Sequence, residues 1–268
     1  MTHESPLGKT TTYSSQYDPG LLFGIPRVES RSALGLGNDL PFNGCDIWNA
    51  WELTWLGPNG VPQIASAIVR VPAYSPNIIE SKSLKLYLNS FAMSNFVSTD
   101  EVQTALEKDL ADCTGSDVDV RILSSEDDCT IGSLDGICID STGATCDVFD
   151  VDASLLSAGD DTVSEALHSH LLRSLCPVTD QPDVGSVQIT YKGPRIDRSS
   201  LLRYIVSFRE HNDFHEACVE RMFVDILQQC APEQLSVYAR YQRRGGIDIN
   251  PFRSNFESDP PNTRIWRQ

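Results

Sequence analysis

An internal repeat is the feature that most limits what this chain can fold into. When the sequence is shifted by 117 positions, residues 74–95 overlie residues 191–212 without a gap. Eight positions are then identical: Tyr74/Tyr191, Ile79/Ile196, Ser83/Ser200, Leu84/Leu201, Tyr87/Tyr204, Ser90/Ser207, Phe91/Phe208 and Asn95/Asn212. Amphipathic helices share letters by accident, but Tyr, Phe and Asn in one gapless window favour the duplication of a single unit.

The first copy has a clear predicted order of elements. Residues 50–56 and 62–71 are β-rich runs on either side of the turn sequence GPNGV, which predicts a hairpin. A helix is predicted within 78–91, and a second begins at Ser98 or Thr99. The second helix carries Val102, Leu106 and Leu110 as an apolar stripe, and a strand is predicted at 117–123.

The second copy repeats this order. A strand is predicted at 185–193, helices within 197–208 and 213–230, and a strand at 235–243. In the last strand Leu235, Val237, Ala239 and Tyr241 alternate, which indicates one buried face. The Ser-, Asp- and Gly-rich stretch 124–165 is predicted to be the connection. The pattern therefore predicts an α+β fold of two ββαα units, residues 1–155 and 156–268, with antiparallel sheets and helices on one side.

Charge and cysteine content limit the partners and the compartment. The 37 acidic and 21 basic residues give a net charge of -16, which argues against binding nucleic acid or an anionic membrane by charge alone. The N-terminus has no apolar signal region, and no run approaches the ~18 apolar residues of a membrane span, so a soluble cytoplasmic protein is expected. The eight cysteines form no CxxC pair and fit reduced thiols. No metal is predicted, because the spacings of the candidate ligands match no structural zinc site. These candidates are Cys129, Cys138, Cys146, His168 and His170.

Residues present in only one copy are the better candidates for chemistry. Under the same shift Cys176 falls on Asn59, and Lys82 falls on Ser199. A thiolate is a good nucleophile, and a nearby carboxylic acid can return a proton to the group that the thiol attacks. Cys176 and Asp183, seven positions apart, could take these roles. Spacing alone leaves the alternative that Cys176 is a packing residue, as most cysteines are.

Three further patterns could bind a ligand. His215 and Glu216 stand at the front of a predicted helix, where a carboxylate is favoured by the helix dipole. The segment 80–82 places a glutamate, a serine and a lysine at a helix start that suits a phosphate, and "RRGG" at 243–246 is another possible anion cradle. Each pattern also fits an ordinary turn or a solvated first turn. The known nucleotide signatures are incomplete, since "GLGNDL" lacks a third glycine and "HESPLGKT" has His3 where a P-loop needs glycine.

Four motifs together resemble a known family. "ESKSLKLYLNSF", "CPVTDQPD", "SFREHNDFHEACVER" and "YARYQRRGGIDINPFRS" are similar to the NADPH-dependent 7-cyano-7-deazaguanine reductases, the nitrile reductases of queuosine biosynthesis, in their long two-unit form. The resemblance runs from "LLFGIPR" to the C-terminal "RIWRQ". It implies the tunnelling fold, in which ββαα units assemble side by side into barrels, and we expect a homodimer because two units supply only part of a barrel.

The resemblance also implies roles for individual residues. Cys176 becomes the nucleophile that adds to the nitrile carbon and gives a covalent thioimide, and Asp183 becomes the proton donor. Two hydride transfers from NADPH then give the aminomethyl product, a precursor in tRNA modification. The implied substrate contacts are Ile79, Glu80, Ser81, His215 and Glu216, and the implied NADPH contacts are Ser81, Lys82, Arg244 and Gly245. Val184 stands where the family pattern leads us to expect an aromatic residue, which bears on substrate packing.

Two other functions are alternatives to nitrile reduction. A pterin or purine cyclohydrolase is one, because related tunnelling-fold proteins include such enzymes, but that chemistry generally uses a metal-held water. The other is a non-catalytic module that binds a purine through Glu80 and Glu216. Metal analysis would test the first, and a covalent adduct at Cys176 formed without NADPH would count against the second.

Overall fold

The computed structural model describes residues 13–127 and 130–268, which cluster into two compact units. The first unit contains the described residues of Met1–Glu29 and Ile47–Cys129, together with Arg243–Asp248. The second contains Ser30–Asp46, Thr130–Gln242 and Ile249–Gln268. Cys129, which the sequence raised as an imaginable ligand, lies outside the described residues.

Runs of strands are followed by runs of helices in both units, which confirms the α+β class. The helices are α1 (Val28–Ala33), α2 (Ser81–Ser90), α3 (Thr99–Thr114), α4 (Arg198–Ser207) and α5 (His215–Cys230), with 3-10 segments at Pro19–Leu21, Ala153–Leu155 and Phe208–Glu210. The strands are β1 (Gly24–Pro26), β2 (Asn43–Leu56), β3 (Pro62–Pro72), β4 (Asn77–Ile79), β5 (Asp119–Leu123), β6 (Ile131–Gly132), β7 (Ile137–Cys138), β8 (Ala158–Leu175), β9 (Pro182–Ile196), β10 (Gln234–Tyr241), β11 (Ile247–Ser254) and β12 (Arg264–Ile265). None of the helices in the described ranges combines the length and apolarity needed to cross a membrane.

The first unit confirms the predicted hairpin and helices. Its strands follow the order β5-β3-β2, and the β2–β3 turn is closed by a hydrogen bond from Gly57 N to Val61 O of 3.0 Å. Of the two candidate caps for α3, Ser98 is the N-cap, since its Oγ accepts from Glu101 N at 3.2 Å. The predicted stripe of Val102, Leu106 and Leu110 is fully buried.

The second unit is built on a long hairpin of β8 and β9. Its strands follow the order β11-β10-β9-β8-β7, with antiparallel ladders joining β11 to β10, β10 to β9 and β9 to β8. The expectation of wholly antiparallel sheets needs a correction, because β7 pairs with β8 and β12 pairs with β6 in parallel. The strands β6, β7 and β12 are only two residues long, so these parallel pairs do not form a parallel sheet built from βαβ units.

β8 is the longest of the elements that the sequence did not predict. Its first half lies in the stretch 124–165 that was interpreted as a connection, and β6, β7 and the 3-10 segment Ala153–Leu155 lie there as well. The first five residues of β8 are all exposed, so this half of the strand is polar and carries no alternation. With β8 included, the second copy has the strand pair that its repeat requires.

β10 is buried on both faces, so the prediction of a single buried face was wrong. Residues Leu235 to Tyr241 are all buried. The C-terminal segment covers the second face: Tyr238 OH donates to Pro261 O at 3.1 Å, and Arg240 Nε donates to Gln268 Oε1 at 3.0 Å. Alternating apolar residues reveal only one buried face of a strand. The other face can also be buried when its polar side chains, such as Arg240, have buried hydrogen-bond partners.

The repeated residues make the same contacts in each helix pair, which supports the duplication. A tyrosine hydroxyl on the first helix donates to a carboxylate on the second, a serine hydroxyl donates to the carbonyl of the N-cap residue, and a phenylalanine packs edge to face on the tyrosine. The pairs are Tyr87–Asp109 and Tyr204–Asp225 (both 2.7 Å), Ser83–Glu80 and Ser200–Asp197 (2.7 and 2.8 Å), and Phe91–Tyr87 and Phe208–Tyr204 (ring centroids 5.2 and 5.4 Å apart).

Candidate active site

Cys176 begins the turn that joins β8 to β9. Its backbone N donates to Gln181 O at 2.9 Å, and its carbonyl accepts from Asp180 N at 3.0 Å. Asp180 takes a left-handed conformation, with φ of 53°, which lets the chain reverse within this short loop. The Cys176 side chain is half-buried at the end of the hairpin. It is therefore not sealed inside the core.

Asp183 and His215 approach each other in the second unit. Asp183 lies on β9 opposite Ser174 and is only 4% exposed. Its Oδ2 is 3.8 Å from Nε2 of His215, the first residue of α5. The His215 ring packs edge to face on Tyr241, with the ring centroids 4.0 Å apart. Packing of this kind restricts how the imidazole can turn beside the carboxyl group.

A short parallel bridge brings the start of α5 to the hairpin end. Leu175, immediately before Cys176, donates its N–H to His211 O at 2.8 Å and accepts from Asp213 N at 3.1 Å. Asn212 Nδ2 donates to Asp180 Oδ1 at 2.6 Å, which ties the turn itself to this segment. The chain that leads into α5 is thus fixed beside the end of β8.

Glu216, Cys218 and Tyr241 are buried residues of the second unit that follow His215 in the sequence. Glu216, in the first turn of α5, is 3% exposed, and the helix N-terminus favours a carboxylate there. Burial, together with the charge of Asp213, raises the pKa of Cys218 far above its ordinary value. Burial also raises the pKa of Tyr241. Cys218 is therefore an inert protonated thiol, whereas Cys176 is reachable from solvent.

Glu80 is the N-cap of α2 in the first unit. Its carboxylate accepts from Lys82 N at 2.7 Å and from Ser83 N at 2.8 Å, and the residue is fully buried. Burial raises the pKa of Glu80, although these two hydrogen bonds and the charges of Lys85 and Lys82 oppose the rise. The backbone N–H groups of Lys82 and Ser83, which the sequence suggested for a phosphate, thus have a carboxylate partner already.

The turn that connects β10 to β11 lies against α2 in the first unit. Arg244 N donates to Ile247 O at 2.8 Å, and the two central glycines, Gly245 and Gly246, have φ of 61° and 81°. Positive φ at both central positions is the requirement of a type I′ turn. The Lys85 side chain crosses Gly245 so closely that an added Cβ would lie 3.1 Å from Lys85 Cε. The Lys85 side chain therefore lies beside the turn that carries Arg243 and Arg244.

The structure places the predicted residues in two groups. Cys176, Asp183, His215 and Glu216 lie in the second unit, and Ile79, Glu80, Ser81, Lys82, Arg244 and Gly245 lie in the first. Sequence reasoning missed Lys85 and the packing role of Tyr241. Lys85 could have been found, because it follows Lys82 by three positions and so shares its helix face. The contact of Tyr241 with His215 had no local signal.

Among the described residues, one group of His, Cys, Asp and Glu side chains is spaced to hold a metal ion. It consists of Cys138, His168 and His170 and includes none of the predicted site residues.

Comparisons with known proteins agree over nearly the whole chain. A family model described as nitrile reductase, 7-cyano-7-deazaguanine reductase N-terminal region, matches residues 13–122, and one described as QueF-like protein matches residues 182–260. The chain is 56% identical to the NADPH-dependent 7-cyano-7-deazaguanine reductase of Burkholderia vietnamiensis, with 98% of each chain covered. It is 55% identical to the proteins of the same name from Burkholderia multivorans and Burkholderia cenocepacia, again over 98% of each chain.

Proposed function

Since the chain belongs to the family of NADPH-dependent 7-cyano-7-deazaguanine reductases, we propose that it reduces the nitrile of 7-cyano-7-deazaguanine to the primary amine of 7-aminomethyl-7-deazaguanine. The nitrile takes up two hydrides and two protons, and two NADPH become NADP⁺. The product belongs to queuosine biosynthesis in tRNA. The observation that carries the proposal is the half-buried Cys176 at the hairpin end, in the same unit as a buried Asp183 that lies 3.8 Å from His215.

Cys176 acts as the nucleophile. Its sulfur bonds to the nitrile carbon while Asp183 gives a proton to the nitrile nitrogen, which produces a neutral thioimide. NADPH, when bound, supplies the hydride for each of the two reductions. After the first reduction the C–S bond breaks, Cys176 leaves with the bonding electron pair, and an imine is formed. The second reduction and a second proton give the amine, so atoms and electrons balance.

His215 positions the acid. Its Nε2 lies 3.8 Å from Asp183 Oδ2, and its ring is held by the edge-to-face contact with Tyr241. A side chain that is packed in this way keeps the proton donor in one orientation without moving during the reaction. Glu216, in the same helix turn, accepts N–H groups from the guanine-like edge of the substrate, because an ionised carboxylate can accept two such bonds.

The first unit carries the remaining proposed ligand contacts. Ile79, Glu80 and Ser81 are substrate contacts, and Ser81, Lys82, Arg244 and Gly245 are NADPH contacts, all on the family resemblance. The crossing of Gly245 by Lys85 supports the NADPH assignment, because it brings a further cation to the Arg244 turn. Fixed cations match the phosphates of the cofactor.

Turnover by purified protein tests the function. Incubation with 7-cyano-7-deazaguanine and NADPH is expected to oxidise two NADPH for each amine formed, measured by absorbance and mass spectrometry. Cys176→Ala abolishes turnover, and Asp183→Asn lowers it by about 10²- to 10⁴-fold, the usual contribution of a positioned acid. Cys146→Ala is the matched control, since Cys146 is also half-buried but is not among the proposed site residues. Full turnover by Cys176→Ala would overturn the mechanism.

Adduct formation separates catalysis from simple binding. Substrate added without NADPH should raise the mass of the wild-type protein by the mass of one substrate molecule, and proteolysis should map the adduct to Cys176. Binding without any adduct would favour a purine-binding module, and formation of a deaminated or ring-opened product would favour a cyclohydrolase-like enzyme.

The assembly and the location belong to the same proposal. We expect the tunnelling fold, with the units completing a barrel in a cytoplasmic homodimer that binds neither nucleic acid nor membrane. The net charge of -16 supports the last two points. Light scattering at assay concentration tests the assembly, and a monomer would contradict it.

A further inference from the structure

Three metal-binding side chains meet on one face of the second unit, outside the proposed reductase residues. His168 and His170 are two positions apart on β8, so they point to the same side of the strand. Cys138 lies on β7 directly beside His168 in the parallel ladder. The Cys138 sulfur and one nitrogen of each ring all lie within 4.8 Å of one another.

Hydrogen bonds orient both imidazoles for ligation. His168 Nδ1 is 3.0 Å from Asp135 O, and His170 Nδ1 is 2.8 Å from Ser186 Oγ. A bond at Nδ1 leaves Nε2 as the ligating atom and fixes the direction of the ring. Metal-binding histidines almost always have such a partner, a carbonyl or carboxylate above all. Both histidines of the cluster therefore have the support that a metal site requires.

A carboxylate adds negative charge beside the cluster. Asp140 accepts from Ser169 Oγ at 2.6 Å and from His170 N at 3.1 Å, so it is held next to the second imidazole. Arg267 donates to the carbonyl oxygens of His170 and Gly185, which fixes the strand backbone at the same place. The surroundings are thus ordered by side chains and not only by the ladder of the strands.

We propose that Cys138, His168 and His170 bind a zinc-type divalent ion. One thiolate and two imidazoles are the ligands that this class of ion prefers, and three protein ligands leave a fourth position for water. Zn–S and Zn–N bonds of about 2.3 and 2.0 Å put tetrahedral ligand atoms roughly 3.3–3.6 Å apart. Cys138 is exposed, so a rotation of its side chain can close the difference from the present separation.

The ion would hold β7 in place and would not take part in nitrile reduction. β7 has only two residues, Ile137 and Cys138. An ion bound by Cys138 and by the histidines of β8 would hold β7 against β8. His170 is six positions before Cys176, which corresponds to about 20 Å along the strand. Binding should therefore raise thermal stability by mass action and leave the reductase activity unchanged.

Cobalt titration of the chelator-treated full-length protein tests the site directly. The wild type should bind about one Co²⁺ with the visible bands of a tetrahedral site and a near-ultraviolet thiolate charge-transfer band. Cys138→Ser should lose the charge-transfer band, and His168→Gln should weaken binding at least tenfold. Ser186→Ala, which removes only the orienting partner of His170, should weaken binding by roughly 10- to 100-fold. Zn²⁺ should displace the Co²⁺ signal.

Two matched variants control for other thiols. Cys146→Ser and Cys176→Ala should both keep the full Co²⁺ spectrum. The melting temperature of metal-free Cys138→Ser should equal that of the metal-free wild type, while added Zn²⁺ should raise only that of the wild type. The proposal is overturned if the wild type gives no thiolate band, if Cys138→Ser keeps it, or if Cys176→Ala abolishes it. None of these readouts depends on nitrile reduction.

Discussion

Arg253 is the most informative position for a stability test. It is fully buried on β11, and its guanidinium donates to Asp46 Oδ1 at 2.8 Å and to Glu220 Oε1 at 2.8 Å. Arg31 binds the same glutamate through two further hydrogen bonds of 2.7 and 2.9 Å. Burial alone would lower the pKa of Arg253, but the charges of Asp46 and Glu220 outweigh it, so the guanidinium stays protonated. Arg31, Arg253, Asp46 and Glu220 thus form a connected network of buried ion pairs within the second unit.

The change Arg253→Met keeps most of the side-chain volume and removes the charge. Asp46 and Glu220, which are 1% and 2% exposed, then lose their hydrogen bonds to this guanidinium. Removing one partner from a buried ion pair destabilises a protein by about 3–5 kcal/mol, because the other charge stays out of water. That is a large fraction of the roughly 5–15 kcal/mol that hold a typical domain together. For a chain of this size it corresponds to a fall of roughly 6–20 °C in melting temperature.

Calorimetry and urea unfolding measure the effect. Arg121→Met is the matched control, since Arg121 also pairs with an acid, Asp127 at 3.1 Å, but is 67% exposed. The control should change stability little, because exposed pairs are screened. Combining Arg253→Met with Glu220→Gln should destabilise less than the sum of the two single changes, since both remove the same interaction. A shift in Arg253→Met no larger than in Arg121→Met would refute the reasoning.

Two further predictions concern the proposed ligand sites. Iodoacetamide should label Cys176 well before Cys218, because Cys218 is fully buried with a raised pKa; peptide mass spectrometry measures the order, and equal labelling would argue against an accessible nucleophile. Gly245→Ala should raise the KM for NADPH several-fold, because the new Cβ would displace Lys85. Gly246→Ala is its control, since it has the same left-handed strain but an added Cβ that meets nothing within 4 Å, and an equal KM in both variants would contradict the assignment.

Local periodicity explains which elements the sequence could predict. The β2–β3 hairpin and the buried stripe of α3 follow from turn residues and a 3.6-residue pattern, and both are confirmed. β8 was missed because apolar and polar residues do not alternate in its exposed first half. Its pairing with β9 joins two separate segments of the chain, so no local pattern reveals it. The second face of β10 was missed for a similar reason: it is covered by the C-terminal residues, which are distant in sequence.

The candidate site likewise contains residues that a local pattern relates and residues that only the folded chain brings together. Cys176 and Asp183 are close in sequence, so a hairpin turn was enough to place them in one region. The approach of His215 depends on the bridge between Leu175 and Asn212, two residues that no local pattern relates. The metal cluster is a sharper case, because Cys138 and His168 are 30 positions apart and become neighbours only through the parallel pairing of β7 with β8. Spacing rules for zinc motifs assume ligands within one local segment, so they could not relate these side chains.

The duplication separates residues that build the fold from the residues proposed to perform chemistry. Three of the identical pairs, Ser83/Ser200, Tyr87/Tyr204 and Phe91/Phe208, are fully buried and make equivalent contacts. A substitution there would remove a hydrogen bond or a ring contact that each helix pair needs. Cys176 and Lys82 instead replace Asn59 and Ser199, and neither is buried in the core. A side chain can change at these two positions without loss of the shared packing, which fits the proposed roles of Cys176 as a nucleophile and of Lys82 as a cation.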